Sequence, residues 1–205
     1  MVGDSYFHGW VYRTVIDPAL APIRELVGRW IPDGSAVIDI GCGTGAQLFA
    51  LSSKIARGFG VDHSMTQIEH AQQRALKMGY SHIEFSATDA THLESIQDCE
   101  FDFAVTSMVI HEMPAAIRLP VLSEMRRMAR QSIIVDWEAC QPNLWRRVGA
   151  DLIERMAGGE HYRGYRSFTK EGGIPALLNQ SDLTVLDEQG TSKGTMRLWL
   201  CQDRQ

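Results

Sequence analysis

The run Val37-Ile38-Asp39-Ile40-Gly41-Cys42-Gly43-Thr44-Gly45 constrains this chain more than any other. An apolar, β-branched stretch carrying one acid passes into a glycine-dense turn, and a helical pattern follows at once. A strand that feeds a tight loop and then a helix is a cradle for a nucleotide-like ligand. Glycines there tolerate positive φ and let the backbone approach where a Cβ would clash. Their spacing is G-x-G-x-G at 41, 43 and 45, whereas the dinucleotide fingerprint reads G-x-G-x-x-G. The plain alternative is a glycine-rich turn without a ligand.

The rest of the chain alternates in the same way. Residues 1–34 read as one or two helices, with aromatics at Tyr6, Phe7, Trp10 and Tyr12 and a turn at Pro32-Asp33-Gly34. Strands are expected at Ala36–Ile40, Gly58–Asp62, Ile83–Ala87, Phe101–Met108 and Ile133–Trp137. Helices are expected at Ala46–Ile55, from the capping box Ser64-Met65-Thr66-Gln67 to Gly79, and from about Pro114 or Leu119 to Met128. Pro120 either begins or kinks the last of these. Trp145, Val148, Leu152 and Met156 form another helical stripe, Thr169 to Leu178 a short helix, and Leu183–Leu186 with Thr195–Cys201 a hairpin. Nearly continuous apolar strands between helices argue for a parallel sheet covered on both faces.

Length and charge narrow the classes. A chain of 205 residues is one domain, with or without small additions. A formal charge of −5 offers no global basic field for nucleic acid or an anionic membrane. The four cysteines, Cys42, Cys99, Cys140 and Cys201, are widely spaced, which speaks against a zinc site and a disulfide framework and fits a reducing compartment. No signal peptide and no membrane span are visible, so the expected location is cytoplasmic. Oligomeric state is not readable.

The string Val37–Gly45 resembles motif I of the class I S-adenosylmethionine (SAM) methyltransferases, and the resemblance runs from about Ala36 to the end of the chain. It implies an α/β fold: a Rossmann-like, seven-stranded, mostly parallel sheet with a C-terminal antiparallel hairpin and helices on both faces. It also implies a division of the single domain 1–205 into an N-terminal helical cap (1–34) and a catalytic core (36–205) with substrate-lid helices (142–180). The activity implied is methyl transfer from SAM to a small-molecule acceptor, with S-adenosylhomocysteine (SAH) as product and no metal.

The resemblance assigns residues as well. Asp39, Gly41, Cys42, Gly43 and Gly45 would form the cofactor loop, with Asp39 orienting it or reaching the ligand's amino group through water. Asp62, with His63 beside it, would accept the ribose hydroxyls, since a carboxylate offers two acceptor oxygens; a helix-start acid is the plain alternative. Asp89 would bond the adenine amine, and the Ala90 N–H a ring nitrogen. Ser107 and Met108 would line the sulfonium. His111 is the candidate base, or else a histidine that orients its loop. Asp136, Trp137 and Glu138 would line the acceptor pocket. The stretch Glu160–Phe168, with His161, Tyr162 and Tyr165, reads as part of a substrate lid together with Tyr6 and Trp10, or as aromatics that patch the core. Two rival functions stay open: an NAD-linked oxidoreductase, which has no Tyr-x-x-x-Lys dyad here, and a non-catalytic SAM- or partner-binding module.

Overall fold

The computed structural model describes residues 20–138, 159–191 and 194–204, with 159–161 described by backbone alone. In chain order the elements are α1 (Ala21–Trp30), β1 (Ala36–Ile40), α2 (Ala46–Leu51), β2 (Arg57–Asp62), α3 (Met65–Met78), β3 (Ile83–Ala87), β4 (Phe101–Ser107), α4 (Ala115–Met128), β5 (Ala129–Trp137), α5 (Gly159–Lys170), α6 (Gly173–Gln180), β6 (Leu183–Gly190) and β7 (Met196–Asp203). The seven strands lie in the order β3-β2-β1-β4-β5-β7-β6. β1 runs parallel to both β2 and β4, β3 extends the sheet beyond β2, and β5 extends it beyond β4. β7 is antiparallel to β5 and to β6, so the hairpin inserts its second strand into the sheet and leaves β6 at the edge.

Side chains alternate across a strand, and each central strand is apolar on both sides. Val37, Phe103, Val105, Ile133, Val135 and Leu198 join the core under α1, α2 and α3. Ile38, Ile40, Ala104, Ile134 and Trp199 join the core under α4, α5 and α6. The expected seven-stranded sheet with helices on both faces is therefore present. In β2, side chains from elsewhere occupy the space: a Cβ on Gly60 would lie 2.5 Å from the Phe85 ring and 2.8 Å from the Cys42 sulfur.

Local signals explain the helix limits. Ser64 Oγ accepts the Gln67 N–H at the start of α3, and Gly79, at φ +73°, ends it. α4 begins after Pro114 and holds Pro120 inside it, so Pro120 does not begin the helix. α2 stops at Leu51, shorter than expected, although Ile55 is buried as the periodicity required. The expected helix from Thr169 to Leu178 is in fact two: Gly172 (φ +97°) and Gly173 (φ +66°) break the chain between α5 and α6. Residues 160–168 are helical, within the span 142–180 expected to hold lid helices, and Tyr162, Tyr165 and Phe168 recur every third residue and share one face. Tyr165 and Phe168 belong to the core, as do Ile174, Leu177 and Leu178 of α6. The Trp145–Met156 stripe, Cys140, Tyr6, Trp10 and the His161 side chain lie outside the described residues.

Candidate active site

Strand order reverses between β1 and β4, and the crevice at such a switch point is where open α/β sheets bind ligands. The glycine loop leaves β1 there. The Gly41 and Cys42 N–H groups both donate to the Val61 carbonyl, at 2.8 and 3.0 Å, so the strand pairing continues into the loop. All three glycines have positive φ, +71°, +51° and +77°, but their surroundings differ. A Cβ at Gly41 would lie 2.6 Å from Val109, and one at Gly45 2.5 Å from Phe85. A Cβ at Gly43 would meet nothing within 4 Å. Two glycines serve internal packing, and the third faces open space.

A carboxylate borders that space. Asp62, at the end of β2, accepts the Gly43 N–H on Oδ2 at 2.8 Å and the Ser64 N–H on Oδ1 at 2.9 Å. Both bonds fix its plane, and each oxygen keeps a further lone pair for a ligand hydroxyl. His63 is exposed, with Nδ1 3.4 Å from Asp62 Oδ1. Asp39 is 2% exposed, and among the described residues it makes no hydrogen bond to the glycine loop; Asp62 holds the loop instead. Burial, reinforced by the Asp62 charge and opposed by Arg24, pushes the Asp39 carboxyl up to about 8. The Cys42 thiol, also buried, is pushed far above its ordinary value by desolvation and by the same two carboxylates. Asp89 is exposed beyond β3, and Thr91 pins one oxygen through its N–H and its hydroxyl, both at 2.8 Å. Those bonds keep the Asp89 carboxyl below its ordinary range. Ala90 packs beside it against the α4–α6 core.

The β4 side is built otherwise. Ser107 ends the strand and Met108 follows at φ +61°, its N–H bonded to the Val135 carbonyl at 2.8 Å. A non-glycine residue in the left-handed region is strained by about 1–2 kcal/mol, a cost that gathers at functional loops. His111 is 1% exposed. Its Nδ1 lies 2.7 Å from Asp136 Oδ1, and its own N–H donates to Asp136 Oδ2 at 3.1 Å. Nε2 is 3.7 Å from Glu112. Trp137, Tyr165 and Phe168 stand edge-on around the imidazole at 6.2–6.3 Å. Asp136 and Trp137 are thus buried supports for the histidine rather than an open pocket wall, and Glu138 pairs with Arg197 at 2.8 Å. Tyr165, expected to touch substrate, is 5% exposed inside this cluster. Tyr162 is half-buried.

Two residues that the sequence reading did not single out hold this side together. Arg118 is fully buried and donates to the Met113 and Gly164 carbonyls, to Ser167 Oγ and to Glu171, at 2.7–3.1 Å. It ties α4, the loop before it and α5 into one unit. Gly164 packs so closely on that loop that a Cβ would overlap the Glu112 carbonyl. A sequence signal existed for Arg118: it falls on the stripe shared by Val121, Leu122 and Met125.

Known proteins are similar to this chain in sequence and in fold. A family model described as "Methyltransferase domain" matches residues 37–132. The chain is 29% identical over 178 residues to the ubiquinone biosynthesis O-methyltransferase of Bartonella quintana, covering 83% of this chain and 69% of that one. Its fold is similar to that of a SAM-dependent methyltransferase from Aquifex aeolicus (TM-score 0.67, 18% identity, 89% of each chain). It is also similar to magnesium protoporphyrin IX methyltransferase from Synechocystis, solved with bound SAH (TM-score 0.65, 19% identity, 98% of this chain and 89% of that one). Among the described residues no helix is long and apolar enough to cross a membrane. With motif I in place at the switch point of a 3-2-1-4-5-7-6 sheet, this chain is similar to the class I SAM-dependent methyltransferases, and it transfers methyl groups from SAM to a small-molecule acceptor.

Proposed function

We propose that the acceptor is a small, hydroxyl-bearing organic molecule, and that SAM lies across the carboxyl ends of β3, β2 and β1. One observation carries the cofactor placement: Gly43 opens onto free space beside a carboxylate whose plane two N–H groups fix. Asp62 then takes the ribose hydroxyls with His63 alongside, Asp89 and Ala90 take the adenine, and Gly41, Cys42, Gly43 and Gly45 shape the loop over Asp39. The hydroxyl acceptor is supported by the relatives, which are named as ubiquinone biosynthesis O-methyltransferases.

SAM supplies an electrophilic methyl on a sulfonium, so this chain needs to align, dehydrate and hold the acceptor. Ser107 and Met108 line the transfer point, and Tyr162 contacts the acceptor. His111 acts as a positioning residue: clamped to Asp136, it fixes the loop that carries Glu112 toward the β4 end. Tyr6, Trp10 and His161 complete the acceptor wall, and residues 1–205 work as one cytoplasmic domain with its cap at 1–34 and its lid within 142–180.

The test is methyl transfer from SAM to a panel of phenols, amines and activated carbon acids, read by product mass and site of methylation. An O-methylated phenol is the expected product; turnover confined to amines or carbon overturns the proposal. In parallel, Asp62→Ala should lose SAM binding in calorimetry, and His111→Asn should lower kcat while leaving the SAM Kd unchanged. A His111 variant whose defect lies wholly in SAM binding sinks the positioning role.

A further inference from the structure

The turn that follows β4 bridges two parts of the site. Met108 starts it at φ +61°, and the Glu112 N–H closes it on the Val109 carbonyl at 3.1 Å. One end rests on the glycine loop: Val109 Cγ1 stands 2.6 Å from where a Cβ of Gly41 would be. The other end rests on α5, where the Glu112 carbonyl lies against Gly164. The turn therefore runs from the loop proposed to hold SAM to the helix proposed as part of the acceptor lid. A methyl group passing from one to the other crosses beside it.

The side chains of this turn differ in what can reach them. Ile110 is fully buried. Both Asp136 oxygens accept backbone N–H groups, from Trp137 at 2.7 Å and from His111 at 3.1 Å. Asp136 thus meets the imidazole as an acceptor, and the His111 Nδ1, at 2.7 Å, carries the proton. Trp137, Tyr165 and Phe168 enclose the ring, and Nε2 faces Glu112 Oε1 at 3.7 Å. The His111 side chain is 2% exposed, whereas that of Glu112 is 32% exposed. A general base must come within hydrogen-bond reach of the proton it takes, directly or through one water. An acceptor reaches Glu112 as the protein stands; it reaches His111 only by dismantling the aromatic cluster.

We propose that Glu112 is the catalytic base of the transfer, and that the Asp136–His111 pair holds it in place. The proposal rests on the hydroxyl-acceptor reading above. The acceptor oxygen gives its proton to a Glu112 carboxylate oxygen and forms its new bond to the methyl carbon. The bond from that carbon to sulfur breaks with both electrons left on sulfur, which cancels the sulfonium charge and yields SAH. The proton on Glu112 then passes to water.

The test uses the full chain with Glu112→Gln, which keeps the shape but takes no proton, and Glu112→Asp, which keeps the carboxylate on a shorter stem. The acceptors are catechol and 4-nitrocatechol, or the matching plain and nitro pair of whichever phenol the parent methylates. The assay is run at mildly alkaline pH, where the nitro compound is already ionised and needs no base. With the plain phenol, kcat of Glu112→Gln should fall by about 10²–10⁴-fold. With the nitro compound the loss should be much smaller, Glu112→Asp should lie between parent and Glu112→Gln, and the SAM Kd from calorimetry should not move. An equal loss with both phenols overturns the proposal, since Glu112 would then act through shape alone. Undiminished turnover of the plain phenol by Glu112→Gln also overturns it. A parent that binds SAM and methylates no phenol falls on the hydroxyl-acceptor reading itself and removes the inference with it.

Discussion

Where β1 and β2 end, polar groups face space; where β4 and β5 end, they face one another. On the first side Gly43 has no neighbour where a Cβ would stand, and Asp62 is held in plane with lone pairs to spare. On the second side His111 is clamped to Asp136, Arg118 donates four hydrogen bonds at 2.7–3.1 Å, and Gly164 touches the Glu112 carbonyl. Satisfied buried groups stabilise the protein alone, whereas unsatisfied ones become favourable only once something else supplies the partner. One half is shaped to receive a ligand that comes and goes. The other keeps the β4–α4 loop in place whether or not that ligand is present.

Four substitutions test this contrast. Arg118→Ala should have the largest effect, because it strands two carbonyls and empties a buried site: about 3 kcal/mol or more of stability, read as a fall in the urea midpoint. SAM affinity at low temperature should survive. Gly164→Ala drives a methyl into the Glu112 carbonyl and should cost about 1–3 kcal/mol, with α5 pushed off the loop; kcat should drop further than SAM affinity. Gly43→Ala inverts the pattern. Its φ of +51° carries a strain of about 1–2 kcal/mol, but the new methyl fills the cradle, so SAM affinity should fall by about tenfold or more. If Gly164→Ala and Gly43→Ala behaved alike in stability and in binding, the division into two halves would be wrong.

Asp39→Asn gives a slope rather than a step. The native carboxyl titrates at about 8 and the unfolded one near 3.8, so between those values the unfolded chain has released a proton that the native state keeps. Native stability attributable to Asp39 is fully present below about 3.8, falls as pH rises toward 8, and is level above it. Asn carries no titrating proton. The stability difference in favour of Asp39→Asn should therefore grow from acid to mildly alkaline pH and then plateau, as measured by urea unfolding across that range.

The sheet and its glycine loop were legible because buried parallel strands read as short apolar runs and because Ser64 and Gly79 mark the ends of α3 chemically. The α5 stretch was not. Glu160, His161, Arg163 and Arg166 raise its polarity enough to mask the three-residue spacing of Tyr162, Tyr165 and Phe168, and a helix with one aromatic face looks like a decorated loop. His111 stood out by type and position, but its partner Asp136 is 25 residues away, and pairing at that distance is settled by strand order. Arg118 has a different reason. It is a polar residue on an apolar stripe, and only packing shows whether such a residue is solvated or clamped.

The outer strand has a consequence of its own. Among the described residues β6 is paired on one side only; after Leu183 every residue of the strand is exposed, Val185 and Leu186 among them. Its register slips between Val185 and Asp187, and Asp187 and Glu188 follow directly. Another chain laid alongside would meet a kinked hydrogen-bonding rail and two adjacent negative charges, a poor template for an eighth strand. The bulge that interrupts the hairpin thus also discourages the sheet from growing into a fibre.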